Sequence, residues 1–153
     1  MKKLLIAMGV ATVAMTSNAF AQDVQFNGTV ATSCTIDNIV NGSLVAASSG
    51  NVLTSTTQPT DAGSADVTAT GFGYDITATA PTAWEAASTG TTAAASYDVD
   101  MSVGGGAAVN AATPVSVTPG SAVGVTVDLT ATAAASTSFE NGTYVAVVTL
   151  TCS

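Results

Sequence analysis

An all-β fold, an antiparallel sandwich or barrel, is what this sequence predicts, and three observations carry the prediction. Apolar and polar residues alternate with a period of two along most of the chain, as a half-buried pleat requires. The alternating runs are short and separated by turn residues at Asn41-Gly42, Asp61-Ala62-Gly63, Gly104 to Gly106 and Asn141-Gly142. Ala, Thr, Val, Gly and Ser dominate the composition, and valine far outnumbers leucine. The β-branched residues are stiff in helices and sit well on a sheet. Alanine favours helix on propensity alone, but no sustained 3.6-residue pattern supports it.

The chain opens on "MKKLLIAMGVATVAMTSNAFA", with two lysines, an apolar run from Leu4 to Met15, and then small and polar residues. Ala19-Phe20-Ala21 is the small-x-small pattern of a signal-peptide cleavage site, so residues 1–21 read as a signal peptide and 22–153 as a single domain. The apolar run is short of the roughly 20 residues a spanning helix needs. The expected destination is export through a bacterial periplasm to the cell surface or beyond, with no membrane insertion.

In "DVQFNGTVATSCTI", Val24, Phe26, Gly28, Val30, Cys34 and Ile36 fall on one face, with Thr32 as the interruption. A glycine inside such a run marks close approach by another backbone. Residues 48–64, "SSGNVLTSTTQPTDAGS", read as a mobile loop. "SADVTATGFGYDITATA" gives two runs meeting at Gly71 and Gly73, and helical turns are expected around "TAWEAAS" and "ATAAAS". "ASYDVDMSV" sets Tyr97, Val99, Met101 and Val103 against Ser96, Asp98, Asp100 and Ser102. "TPVSVTPG" and "AVGVTVDLTATA" make two strands around a Pro119-Gly120 turn, the second with Val123, Val125, Val127 and Leu129 on one face. In the closing strand Tyr144, Ala146, Val148, Leu150 and Cys152 share a face. A transmembrane barrel wants aromatic girdles, and after the leader only three Phe, three Tyr and one Trp remain.

The charge pattern excludes more than it assigns. Both basic side chains, Lys2 and Lys3, lie in the leader, which leaves ten carboxylates and no Lys, Arg or His. Without cations there is no phosphate clamp and no counterion release, so nucleic acid is not a partner. A Ser-His-Asp triad and its lysine variants are likewise excluded. A carboxylate pair could serve glycoside hydrolysis, but the acids are scattered beside turns and on solvent-facing strand positions, and no enzymatic activity is expected. Zinc would need Cys or His clusters, and no cofactor is expected. Asp98 and Asp100 share a strand face and leave calcium open, although the spaced acids of an EF-hand loop are missing. The sequons at Asn27, Asn41 and Asn141 each read Asn-Gly, and are better explained as turn or bulge residues than as sugar acceptors.

Cys34 and Cys152 each fall on the apolar face of their own strand. In an exported chain such a pair is expected to oxidise, which requires the first and last strands to lie beside or opposite one another.

The two ends also resemble a known family. "VQFNGTVATSCTID", followed by "NGSL", is similar to the first strand of bacterial fimbrial subunits of the chaperone–usher kind, with their F-x-G-x-V pattern and a cysteine shortly after. "NGTYVAVVTLTCS" resembles their closing strand, with its Gly-x-Tyr start. The resemblance implies an immunoglobulin-like sandwich lacking its last strand, completed by an extended N-terminal segment of a neighbouring subunit. Residues 22–33 are the matching segment, and Val24, Phe26, Gly28 and Val30 its inward positions. Implied partners are copies of the same or related subunits, a periplasmic chaperone and an outer-membrane usher. Whether 22–33 is donated or folds as the first strand of its own domain is left open. In the second case the chain reads as a self-contained adhesin or carbohydrate-binding module, with Trp84, Tyr74 and Tyr97 as contact residues.

Overall fold

The computed structural model describes residues 25–58, 60–87, 94–134 and 137–153. The expected signal peptide and Val24 lie outside the described residues. Twelve strands follow in chain order. The first six are β1 (Ser33–Val40), β2 (Val45–Ala46), β3 (Val52–Thr54), β4 (Gly63–Thr70), β5 (Tyr74–Thr79) and β6 (Ala86–Ala87). The rest are β7 (Ala95–Val103), β8 (Val109–Asn110), β9 (Val115–Val117), β10 (Val123–Ala133), β11 (Tyr144–Val145) and β12 (Thr149–Cys152). There is no helix among the described residues; the fold is the expected all-β, antiparallel, sandwich-like one.

β10, the longest alternating run, organises the larger sheet. One side pairs with β7 along nine positions, from Val125 opposite Val103 to Ala133 opposite Ala95. Its other side changes partner midway: Val123 to Val127 pair with β4, and Thr130 to Thr132 with β3. β1 lies outside β4, giving the order β1-β4-β10-β3-β2. The smaller sheet is β12-β5-β9, and β6 pairs with β11 as a separate ribbon. Inward residues of β4, β5, β7, β9 and β10 meet between the sheets, where Val67, Ile76, Val99, Met101 and Val125 are fully buried. Each such side chain contributes about 1.5–3 kcal/mol by leaving water. The outward positions are almost all Thr, Ser and Asp, as alternation predicts.

The change of partner along β10 has a local solution. Between Val127 and Thr130 neither β4 nor β3 continues its ladder to Leu129. Ser55, just past β3 and 3% exposed, fills that position. Its N–H donates to the Leu129 carbonyl at 3.0 Å. Its Oγ accepts from the Leu129 N–H at 2.9 Å and donates to Asp128 Oδ1 at 2.9 Å. Ser55→Ala therefore strands a buried N–H, and urea unfolding is expected to show a loss of about 1–3 kcal/mol. An unchanged midpoint would mean that another group satisfies Leu129.

Three local expectations change. The loop read over 48–64 contains β3, with Leu53 buried against β10. The helical turns expected at "TAWEAAS" and "ATAAAS" give way to β6 and to the end of β10, because ladder partners are available to both. Among the described residues of the run expected from Val24 to Ile36, the strand begins at Ser33. The reason is geometric: Ser33 sits opposite Thr70, the last residue of β4, and beyond it the chain turns at Gly71–Gly73 into the other sheet. β4 has no further residue to offer segment 25–32.

Candidate functional site

Registers place three features at one end of the sandwich, called here the root end. Ser33 pairs with Thr70, and the Gly71–Gly73 turn follows directly. Ser153 exchanges backbone hydrogen bonds with Asp75 at 2.9 and 3.0 Å. From this end β1 and β5 run upward, while β4 and β12 come down. Segment 25–32 leaves the domain here. Thr70 Oγ1 donates to the Ala31 carbonyl at 3.3 Å, and Gly71, at φ +83°, packs so closely that a Cβ would lie 2.7 Å from Thr32 Cγ2. Beyond that root the segment is without secondary structure, and Phe26 and Val30 are 90% and 80% exposed. Gly28, expected to mark a close backbone approach, has nothing within 4 Å of a Cβ built on it. The tight approach occurs instead at Gly42, where a Cβ would sit 2.7 Å from the Asp61 carbonyl oxygen.

The two sheets end side by side. β1 is the last strand of the larger sheet and β12 of the smaller, and among the described residues neither has a second neighbour. The Cys34–Cys152 disulfide joins these edges at the root end, with Cα atoms 6.4 Å apart, as the shared apolar faces predict. Above it the expected closing strand is broken: Tyr144–Val145 form β11 against β6, residues 146–148 are not in a strand, and only β12 lies on β5. Tyr144, Ala146, Val148, Leu150 and Cys152 nevertheless alternate as half-buried with the exposed Val145, Val147, Thr149 and Thr151. Cys34 and Ile36 on β1 are half-buried in the same way. The equivalent inward residues of β4 and β10, Val67, Ala69, Val125 and Ala131, are buried. The contrast marks a partly exposed apolar strip between β1 and the chain from Tyr144 to Leu150, called here the slot, which the disulfide closes at the root end. Both edges present unpaired backbone groups, a template for an added strand.

The aromatic residues divide between two places. Trp84 packs against Tyr97, Phe139 and Tyr144 with ring centroids 5.2, 5.8 and 5.1 Å away, and the Tyr144 hydroxyl donates to the Glu140 carbonyl at 3.0 Å. Burial pushes the Tyr97 phenol above its ordinary pKa. Tyr74 begins β5 at the root end, so it does not join Trp84 and Tyr97. A cavity of about 300 Å³ opens beside the cluster, lined by Thr82, Glu85, Trp84, Tyr97 and several alanines. Phe139 was not singled out by the sequence pattern because it stands outside any alternating run.

Among the described acids, Asp37, Glu85, Asp98, Asp100 and Glu140 are exposed, while Asp61, Asp66, Asp75 and Asp128 are half-buried. Asp98 and Asp100 both face solvent on β7, opposite Thr130 and Asp128. Among the described residues no three of His, Cys, Asp and Glu come together as a metal site. No helix among the described residues is long and apolar enough to cross a membrane. Comparison with protein-family models, with curated proteins and with solved structures finds no match to this chain.

Proposed function

We propose that the protein is a structural subunit of an extracellular pilus or surface filament, in which the segment carrying Val24, Phe26, Gly28 and Val30 of one copy fills the slot between β1 and β12 of the next. One observation carries the reading: an alternating apolar segment leaves the domain unpaired at the same time as two sheet edges stand open around a half-buried slot. Strand addition supplies what each lacks, main-chain hydrogen bonds for the edges and pockets for alternate side chains. The segment from Val24 to Val30 and the inward stretch from Tyr144 to Leu150 are each seven residues long. At about 3.3 Å per residue, they match in span.

Attachment at the root favours a neighbour over self-closure. β12 descends toward the root end and β1 ascends from it, so a strand antiparallel to β12 ascends and runs parallel to β1. A segment from another copy can do this freely. The chain's own segment would have to reverse at Ala31–Ser33, where Thr70 and Gly71 hold it, and would then run parallel to β12. Donation from copy to copy is a heterologous contact that does not close on itself, the condition for an open filament. Before assembly the slot needs cover, the role in this reading for a periplasmic chaperone and an outer-membrane usher. The disulfide and the leader fit an exported chain.

Run unheated on a denaturing gel, the purified mature protein is expected to give a ladder of oligomers that collapses to one band on boiling. A single monomer band without heating would overturn the proposal. The cavity beside Trp84 favours a second reading, a carbohydrate-binding module. Trp84 is the sole tryptophan, so a saturable change of its fluorescence with glycans, from a protein that stays monomeric, would favour that reading instead.

A further inference from the structure

We infer that Phe72 is a second contact between successive copies, docking against the apolar rim at the far end of the neighbour's slot, formed by Ile39, Val40, Val145 and Val147. The inference rests on the strand-donation reading above and adds a contact that the donated strand does not itself make.

Phe72 sits between Gly71 and Gly73 at the tip of the turn that crosses from one sheet to the other. None of the described residues covers it: it is 74% exposed, although a turn of this kind is equally well made with a polar residue. The turn is also fixed to the root of the donor segment. Gly71 touches Thr32 and Ala31, and the Phe72 N–H donates to the Thr70 carbonyl at 3.1 Å. Whatever receives segment 24–30 is therefore brought up against Phe72.

Direction decides which part of the neighbour that is. A donor antiparallel to β12 has its Val24 end beside the neighbour's Leu150, short of the disulfide, and its Val30 end beside the neighbour's Tyr144. The donor's domain then abuts the far end of the slot rather than the root end. At that end the large side chains are exposed in spite of being apolar: Ile39 70%, Val40 59%, Val145 42% and Val147 53%. Ile39 and Val40 follow a bulge in β1, where Asn38 at φ 52° shifts the register. Val145 and Val147 lie on the outward face of the closing strand, whose lower outward positions, Thr149 and Thr151, are polar. The closing strand is thus apolar on both faces only near the end where the next domain would arrive. The root end presents Phe72 and the far end an apolar rim, so the pair joins head to tail.

The test places the photo-crosslinking amino acid p-benzoylphenylalanine at position 72 of the full chain, with the same group at Asp100 on the outer face of β7 as the control. Ultraviolet light is expected to give boiling-resistant dimers from position 72 and none from position 100. Peptide mapping, with a protease other than trypsin, should place the adducts within 39–40 or 144–147. A ladder on the unheated gel with no adduct, or with adducts elsewhere, overturns the Phe72 contact and leaves strand donation standing. Absence of the ladder itself overturns strand donation, and the Phe72 contact with it.

Discussion

Phe26→Asp is expected to leave the purified protein monomeric, with no ladder on an unheated gel, while the monomer unfolds at the same urea concentration as the unmodified chain. In its own domain Phe26 is 90% exposed, so the substitution removes no packing there. In the strand-donation reading the same position would lie against the inward residues of the closing run in a neighbour. There Phe26 would contribute about 1.5–3 kcal/mol of burial, and a carboxylate would be buried with no Lys, Arg or His beyond Lys3 in the sequence to pair with it. Together these are worth more than two orders of magnitude in affinity, at about 1.4 kcal/mol per tenfold. Asn27→Asp adds the same charge on the opposite face of the segment and is expected to keep the ladder. If Phe26→Asp assembles as well as Asn27→Asp, the segment does not enter an apolar slot.

The history of this segment in the sequence shows what periodicity encodes. Val24, Phe26, Gly28 and Val30 alternate as well as any run in the chain, yet 25–32 has no strand partner among the described residues. Alternation records that a segment suits a half-buried pleat; it does not say which chain supplies the other strands. Where the partner is local, reading and structure agree. β10 keeps its predicted inward set, whereas the closing run keeps its burial alternation but is split into β11 on β6 and β12 on β5. Cys34 and Cys152 were legible as a pair because each stood on an apolar face. β3 was not legible, since Val52-Leu53-Thr54 is too short for a period and becomes a strand only because β10 outruns β4. β6 is two alanines held by Tyr144 and Val145, a tertiary choice that overrides alanine's helix propensity. The slot belongs to the same class: its floor residues are written in the sequence, but its openness follows from which strands end each sheet.

The second large effect is on stability. The double variant Cys34→Ser/Cys152→Ser is expected to lose about 2–5 kcal/mol in urea unfolding, the range for removing a native disulfide from a small secreted domain. The bridge spans 118 residues of sequence, and the chain-entropy model gives about 4.7 kcal/mol for a loop near 100 residues. Its position adds a native-state effect, because it ties together two edge strands, β1 and β12, each with a neighbour on one side only. Those strands are held by their inner ladders, four register positions between β12 and β5 and six between β1 and β4. A donated strand would hydrogen-bond to these same edges along the slot. In the strand-donation reading the bridge and the donor therefore do overlapping work, and their contributions are not additive. Removal of the disulfide should cost the isolated monomer more than it costs a subunit within the oligomer. Comparing the urea midpoints of monomer and oligomer, each with and without the two cysteines, measures that coupling. Equal losses in the two states would mean that the donated strand does not span the edges the disulfide joins, and would place the junction between copies elsewhere on the domain.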